Sequence, residues 1–404
     1  MDKSDRRDEK QMRIMYLDWP CFGRDDAPAT IAELGYEIVP FFHEEYQALE
    51  SEGFTREFKS KAEIYDVKAC FSYNYYPLVA KCCHDLNIQY ISLVYDSPFI
   101  HLYSYTLVFP TNHVFLFDRT WYNEFHNAGI QTVHYIVLPV NANRITQMRQ
   151  EPFDTERVTA DVSFVGALYD ERYNLFDKIS GQNEYLDGYL EGIMDAQRKI
   201  WGYNFIEELL TPDIMVELQK LDPYVPDKES VAVPTYGYAN YHIARKITQL
   251  ERKDLLLEAG KKFRVKLFTL DKDTIIPGTK NMGICDYYLE MPLVFYHSKI
   301  NLNITLRSIK SGIPLRCMDI LGAGGFLLSN YQAELLEHFT PGEEFDYYES
   351  KEDMMAKIEY YLSHEKERAQ IAENGYQKTK QLYNYHNCFS QMFDIAFSKE
   401  SESV

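Results

Sequence analysis

A chain of 404 residues, 46% apolar and 15% aromatic, is globular and has core enough for two domains. Its net charge of −19 argues against general binding to nucleic acid or to anionic membranes, both of which need a positive field. Seven cysteines with no C-x-x-C pair, a charged start without an apolar leader and no long apolar run fit a reduced, cytoplasmic protein with no membrane span.

In chain order, residues 1–11 read as a flexible arm. RIMYL (Arg13 to Leu17) reads as a first strand, followed by loop, helix and a second strand ending near Phe41. This is a Rossmann-like opening, but Gly23 stands alone, so no dinucleotide fingerprint is present. Alternation continues with strands at Lys68 to Ser72, Gln89 to Val94, Val114 to Phe117 and Thr132 to Leu138, and helices at Tyr76 to Leu86 and Trp121 to Ala128. The result is a parallel sheet of about half a dozen strands filling residues 12–150.

Three loops fall on the carboxyl edge of that sheet, where open α/β sheets bind ligands. They hold Asn74 and Tyr75, then Asp96-Ser97-Pro98 with His101 just beyond, then Asp118. Asp96 and Asp118 are candidate catalytic bases, although an Asp at such a point also commonly caps a turn or helix. Asn74, Tyr75 and His101 are candidate acceptor contacts.

Asn141 to Arg157 is polar and reads as a linker. A second domain, 160–383, opens with D-V-S-F-V-G, whose Gly166 lets backbone approach a ligand. Residues 181–240 are acidic and aromatic-rich and break the alternation, which marks a helical insertion. It is a flap, an acceptor-recognition element or a dimer contact; the sequence leaves a homodimer open. A long helix follows at Ala239 to Ala259, then a strand at Arg264 to Thr269. Asp271-Lys272-Asp273 matches D-x-D in a loop, too short a pattern to assign a metal. Helices at Lys351 to Ser363 and Glu365 to Tyr383 follow, and residues 384–404 form a tail.

The most informative stretch is Ser298 to Asn330, SKINLNITLRSIKSGIPLRCMDILGAGGFLLSN, a strand, loop, short helix and strand. Pro314 suits the first helical turn and Gly324-Gly325 its end. From Met291 to Met318 there is no Asp or Glu, while Lys299, Arg307, Lys310 and Arg316 lie there. A helix start beside a strand end, set among cations, suits a phosphate.

I-P-L-R, C-M-D-I-L-G-A-G-G-F-L-L, E-L-L-E-H-F and G-E-E-F together resemble the spore-maturation CgeB-type glycosyltransferases, relatives of the GT-B superfamily. The resemblance implies two Rossmann-like, doubly wound domains with a cleft between them, the tail helix crossing back to the first. It implies that Asp319 and Gly324, at the family's spacing, belong to the nucleotide-holding helix, and that Gly166 faces the diphosphate. Ser311 stands where the retaining branch carries a second acid, which leaves the stereochemical class open.

The expectation is therefore a metal-independent glycosyltransferase of hexosyl type. It takes a UDP-sugar or similar nucleotide-diphosphate sugar, uses no cofactor, and transfers to a protein or glycan hydroxyl. Gly166, Arg307, Ser311, Gly312, Arg316, Asp319 and Gly324 would form the donor site. Arg316 supplies the cation, and Asp319 meets the ribose. The family points to bacterial surface or spore glycosylation. A nucleotide-sugar epimerase of the same architecture and a non-catalytic sugar-nucleotide or glycan binder are the alternatives.

Overall fold

A computed structural model describes residues 11–149, 152–170 and 174–398. The expected arm lies outside these residues except for Gln11, as do the last six residues of the tail.

Two parallel sheets organise the chain. The first holds β1 (Arg13–Leu17), β2 (Glu37–Phe41), β3 (Ala69–Tyr73), β4 (Gln89–Val94), β5 (Asn112–Leu116) and β6 (Val133–Tyr135), in the order β2-β1-β3-β4-β5-β6. The second holds β7 (Val162–Val165), β8 (Val265–Phe268), β9 (Thr279–Asn281), β10 (Ile300–Asn303), β11 (Leu327–Asn330) and β12 (Asp346–Tyr348), in the order β12-β11-β10-β7-β8-β9. The central strands β3, β7, β10 and β11 are buried along their whole length, because helices cover both faces. Both domains are thus Rossmann-like and doubly wound, as the sequence reading expects.

Strand order reverses between β1 and β3 in the first sheet and between β7 and β10 in the second. At such a switch point the crossovers leave on opposite faces and open a crevice at the strands' carboxyl ends. The first crevice lies among residues 18–25, Asn74 and Asp96; the second lies between Gly166 and Thr305.

Local chemistry sets the element ends. Pro314 is the N-cap of the Leu315–Gly322 helix, with extended backbone, and so stands one place earlier than the sequence reading puts it. Gly324, at φ +73°, closes that helix in the left-handed region, where a Cβ is disfavoured. The polar linker contains two short helices, Ala142–Met148 and Thr155–Val158, each started by an Asn or Asp side-chain cap. The Glu52–Ile64 helix has no counterpart in the sequence reading.

The insertion is helical, at Glu184–Gln197, Ile206–Leu209, Pro212–Leu221 and Pro234–Gly237, and packs a core of its own around Leu186, Leu190, Ile214 and Ile243. It runs into a π-helical turn, Tyr238–Ala244, that continues as the α-helix Arg245–Gly260.

Three of the contacts between the domains stand out. The Tyr385–Phe397 helix packs Phe389 and Phe393 on Phe71 and Tyr36 of the first domain. A strap at 229–241 pairs Ser230 with Ser104 in an antiparallel bridge, and the Tyr236 and Tyr241 hydroxyls accept from the Phe99 and Ile100 amides. At the third, Asp118 takes the amides of Lys310 (2.6 Å) and Ser311 (3.2 Å).

Candidate active site

Asp96 follows β4 in the first crevice. Asn74, at φ +57°, aims its side chain at this loop: Nδ2 donates to Asp96 Oδ2 at 2.7 Å, while Oδ1 accepts from the Tyr95 and Asp96 amides. An Asn tolerates the left-handed conformation that this aim requires. Asp96 is open to water on one side but walled by protein on the others, and that desolvation pushes its carboxyl above the ordinary range. The Asn74 bond and the nearby Arg245 charge work the other way. Ser97 Oγ donates across the cleft to the Ser308 carbonyl at 3.1 Å.

The second crevice carries cations on one helical face. Arg245, Gln249 and Arg252 stand at i, i+4 and i+7 of the Arg245–Gly260 helix. Arg252 is buried and donates to the carbonyls of Ile304 and Ala167, which ties the loop after β7 to the loop after β10 across the switch point. Arg245 lies over the rings of Tyr169 and Tyr241, at 5.9 and 5.2 Å, and makes no ion pair among the described residues. Its Nε and the Gln249 Oε1 are buried without a hydrogen-bond partner. Such groups cost free energy unless a ligand or water satisfies them. The sequence reading missed this face. The Arg–Gln–Arg spacing inside its long helix was the available signal, and a π-turn just before it often accompanies a functional site.

The central stretch divides into two groups. Arg316, in the first turn of its helix, donates to Asp319 Oδ2 at 3.3 Å, touches the Met291 sulfur and lies over the Phe295 ring. Asp319 is buried and takes the Tyr287 hydroxyl at 3.1 Å; burial raises its carboxyl to about 6, against the pull of Arg316. Arg316 and Asp319 therefore stand together, near the Arg252 charge. Gly166 directly follows β7 at the switch point, where a Cβ would crowd the Phe164 ring at 3.3 Å and touch Arg252 at 3.7 Å.

The other predicted residues hold the frame. Arg307 is buried, chelates Glu251, donates to the Ile200 carbonyl and lies 3.8 Å over the Trp201 ring, so its donors are taken. Ser311 bonds to Asp118, Glu334 and Thr120. Gly312 brings its backbone against Asp118, where a Cβ would lie 2.8 Å from the Asp118 Cα. Asp118 also caps the Arg119–Asn127 helix at Trp121, so it is buried with four protein donors. Gly324 meets Arg149, away from the crevice. Tyr75 is in the first domain's core, bonded to Thr106. His101 packs edge-on against Tyr76 and Phe99. Among the described residues, no cluster of His, Cys, Asp or Glu is arranged to hold a metal ion.

The fold is that of the GT-B glycosyltransferases. Residues 252–394, about a third of the chain, match a family model described as glycosyl transferase-like. A glycosyltransferase from Rickettsia africae superposes with a TM-score of 0.53 at 10% identity, over 96% of this chain and 98% of its own. A sucrose-phosphate synthase from Thermosynechococcus elongatus gives 0.53 at 10% identity, over 95% and 98%. Anabaena HepE, solved with UDP-glucose, gives 0.52 at 9% identity, over 96% and 100%. No curated protein matches the sequence. No helix among the described residues is long and apolar enough to cross a membrane.

Proposed function

We propose that the protein is a metal-independent glycosyltransferase that moves a sugar from a nucleotide-diphosphate donor, UDP-linked, to a hydroxyl of a glycan or protein. One observation carries the reading: Asp96, set by Asn74, stands across the cleft from a helix face where Arg245 makes no ion pair among the described residues and its Nε is buried and unsatisfied. That pairs a proton acceptor with an anion-seeking wall.

Breaking the anomeric C–O bond builds negative charge on the departing diphosphate. Fixed cations in a partly dry crevice stabilise that charge without reorganising. Arg245 and Arg316 supply the charge, and Arg252 holds the two loops that border the site. Asp319, supported by Tyr287, is placed for the ribose hydroxyls. On the opposite wall Asp96 takes the proton of the attacking hydroxyl, and its raised affinity for protons strengthens it as a general base. Attack assisted from that side inverts the anomeric centre. Ser311 is bonded to Asp118 and Glu334, so inversion is the outcome we assign.

The test is release of UDP from a panel of UDP-hexoses in chelator, with and without a mixed glycan pool. We expect acceptor-dependent release by the parent protein. Asp96→Asn should lose release while keeping UDP affinity. Release that appears only with Mg²⁺ or Mn²⁺, or an undiminished Asp96→Asn rate, overturns the assignment.

A further inference from the structure

The first crevice holds a cavity of ≈ 560 Å³ lined by Trp19, Cys21, Phe22, Asp25, Tyr95, Asp96, Tyr287 and Tyr288, with Pro20 and Arg24. Its walls are unusually aromatic. Phe22 is 45% exposed, and its ring lies 4.6 Å from that of Tyr287 and 6.4 Å from that of Tyr95. A large ring exposed inside a concavity, braced by two others, presents a flat apolar face to a ligand.

The charges of the cavity are one-sided. Arg24 is its only lining cation, and Asp18 holds that guanidinium bidentately, at 2.5 and 2.9 Å. Asp25 occupies the N-cap position of the Asp26–Glu33 helix yet makes no capping bond. Among the described residues its carboxylate has no ion pair. The unspent charges are therefore Asp25 and Asp96, both negative. Arg245, whose charge reaches Asp96, lies outside the lining and is assigned to the donor diphosphate, so an anionic ligand in the cavity would be desolvated beside two carboxylates with no countercharge of its own. The Cys21 thiol, pushed up to about 12 by burial, adds no anion and no nucleophile.

We propose that this cavity binds the acceptor, and that the acceptor is an uncharged saccharide. The C–H face of its ring lies on Phe22, its reacting hydroxyl points to Asp96, and a second hydroxyl donates to Asp25. Sugars bearing phosphate or carboxylate are excluded. The proposal rests on the transferase reading and narrows it to an acceptor class.

Saturation-transfer NMR in the presence of UDP tests it, with p-nitrophenyl glycosides of glucose, galactose and N-acetylglucosamine set against their 6-phosphates. Neutral glycosides should show saturation and the phosphates at least tenfold less. Phe22→Ala should abolish the neutral signal, and Asp25→Lys should raise the phosphate signal while UDP affinity stays unchanged. Equal saturation by the phosphates, no saturation by any neutral glycoside, or a Phe22→Ala protein that binds as the parent does overturns the proposal. Calorimetric UDP binding is read in the same samples. If UDP binds and acceptor selectivity is absent, only this proposal fails. If UDP does not bind, the transferase reading fails.

Discussion

Asp96 and Asn74 work as a unit, because the amide of one orients and partly neutralises the carboxylate of the other. Asn74→Ala should lower kcat by roughly tenfold to a thousandfold, the range of a misplaced general base, with little change in UDP affinity. It should also move the acid limb of the pH–rate profile upward, since the Asn74 bond opposes the desolvation that raises Asp96. A profile unchanged in shape would make Asn74 a turn residue only. Arg245 differs in having no anionic partner to lose. A charge-assisted bond to phosphate is worth about 1.5–3 kcal/mol, so Arg245→Ala should weaken UDP binding roughly 10- to 150-fold by calorimetry. Lysine should restore only part, lacking the planar fork. Asp319 carries a stability signature. Its folded-state affinity for protons is raised, so the stability linked to it is present below the ordinary carboxylate range and lost as pH rises through about 6. The loss is on the order of 2–3 kcal/mol. Asp319→Asn, which cannot ionise, should therefore gain on the parent in thermal stability as pH rises from about 4 to about 6 and hold that gain above it.

Among elements, the loop from Ile304 to Pro314 shows how much the sequence reveals and where it stops. Its basic character, the helix after it and the β10–β11 crossover are local patterns of charge and period, and all are legible in one dimension. Which of its side chains turn to the crevice is not. Arg307 is drawn to Glu251, which lies 56 residues earlier, and Ser311 to Asp118, which lies 193 residues earlier. No local spacing encodes those pairings. Arg245 was hidden for the complementary reason, since a cation on a long amphipathic helix looks solvated until the opposing loops bury it. The same holds for β9 and β12, three residues each and too short to show a period. Gly312 makes the loop's dependence on the other domain measurable. A methyl there must displace the backbone of Phe117 and Asp118, which are part of a strand end and a capped helix. Gly312→Ala should cost about 1–3 kcal/mol of stability by denaturant melt, and Ala at Gly342, where nothing lies within 4 Å, is the control for packing. Gly342 has φ +76°, so its own smaller cost reports the backbone term alone.

For the whole molecule, the strap at 229–241, the Asp118 junction and the tail helix mean that each domain lends surface to the other's packing. Phe389 and Phe393 come from the end of the chain yet complete the apolar surface of the first domain. Removing residues 385–398 would uncover Phe71 and Tyr36 and should leave a protein that aggregates rather than two separable halves. The shared packing also has a calorimetric consequence. Two domains joined by a plain linker melt as two events, but domains that exchange helices and straps lose their cores together. Heating should therefore give one endotherm whose van't Hoff and calorimetric enthalpies agree. UDP, for which the proposed donor site uses second-domain residues alone, should displace that whole endotherm to higher temperature. Two resolved endotherms, only one of them moved by UDP, would show that the fastenings do not couple the domains.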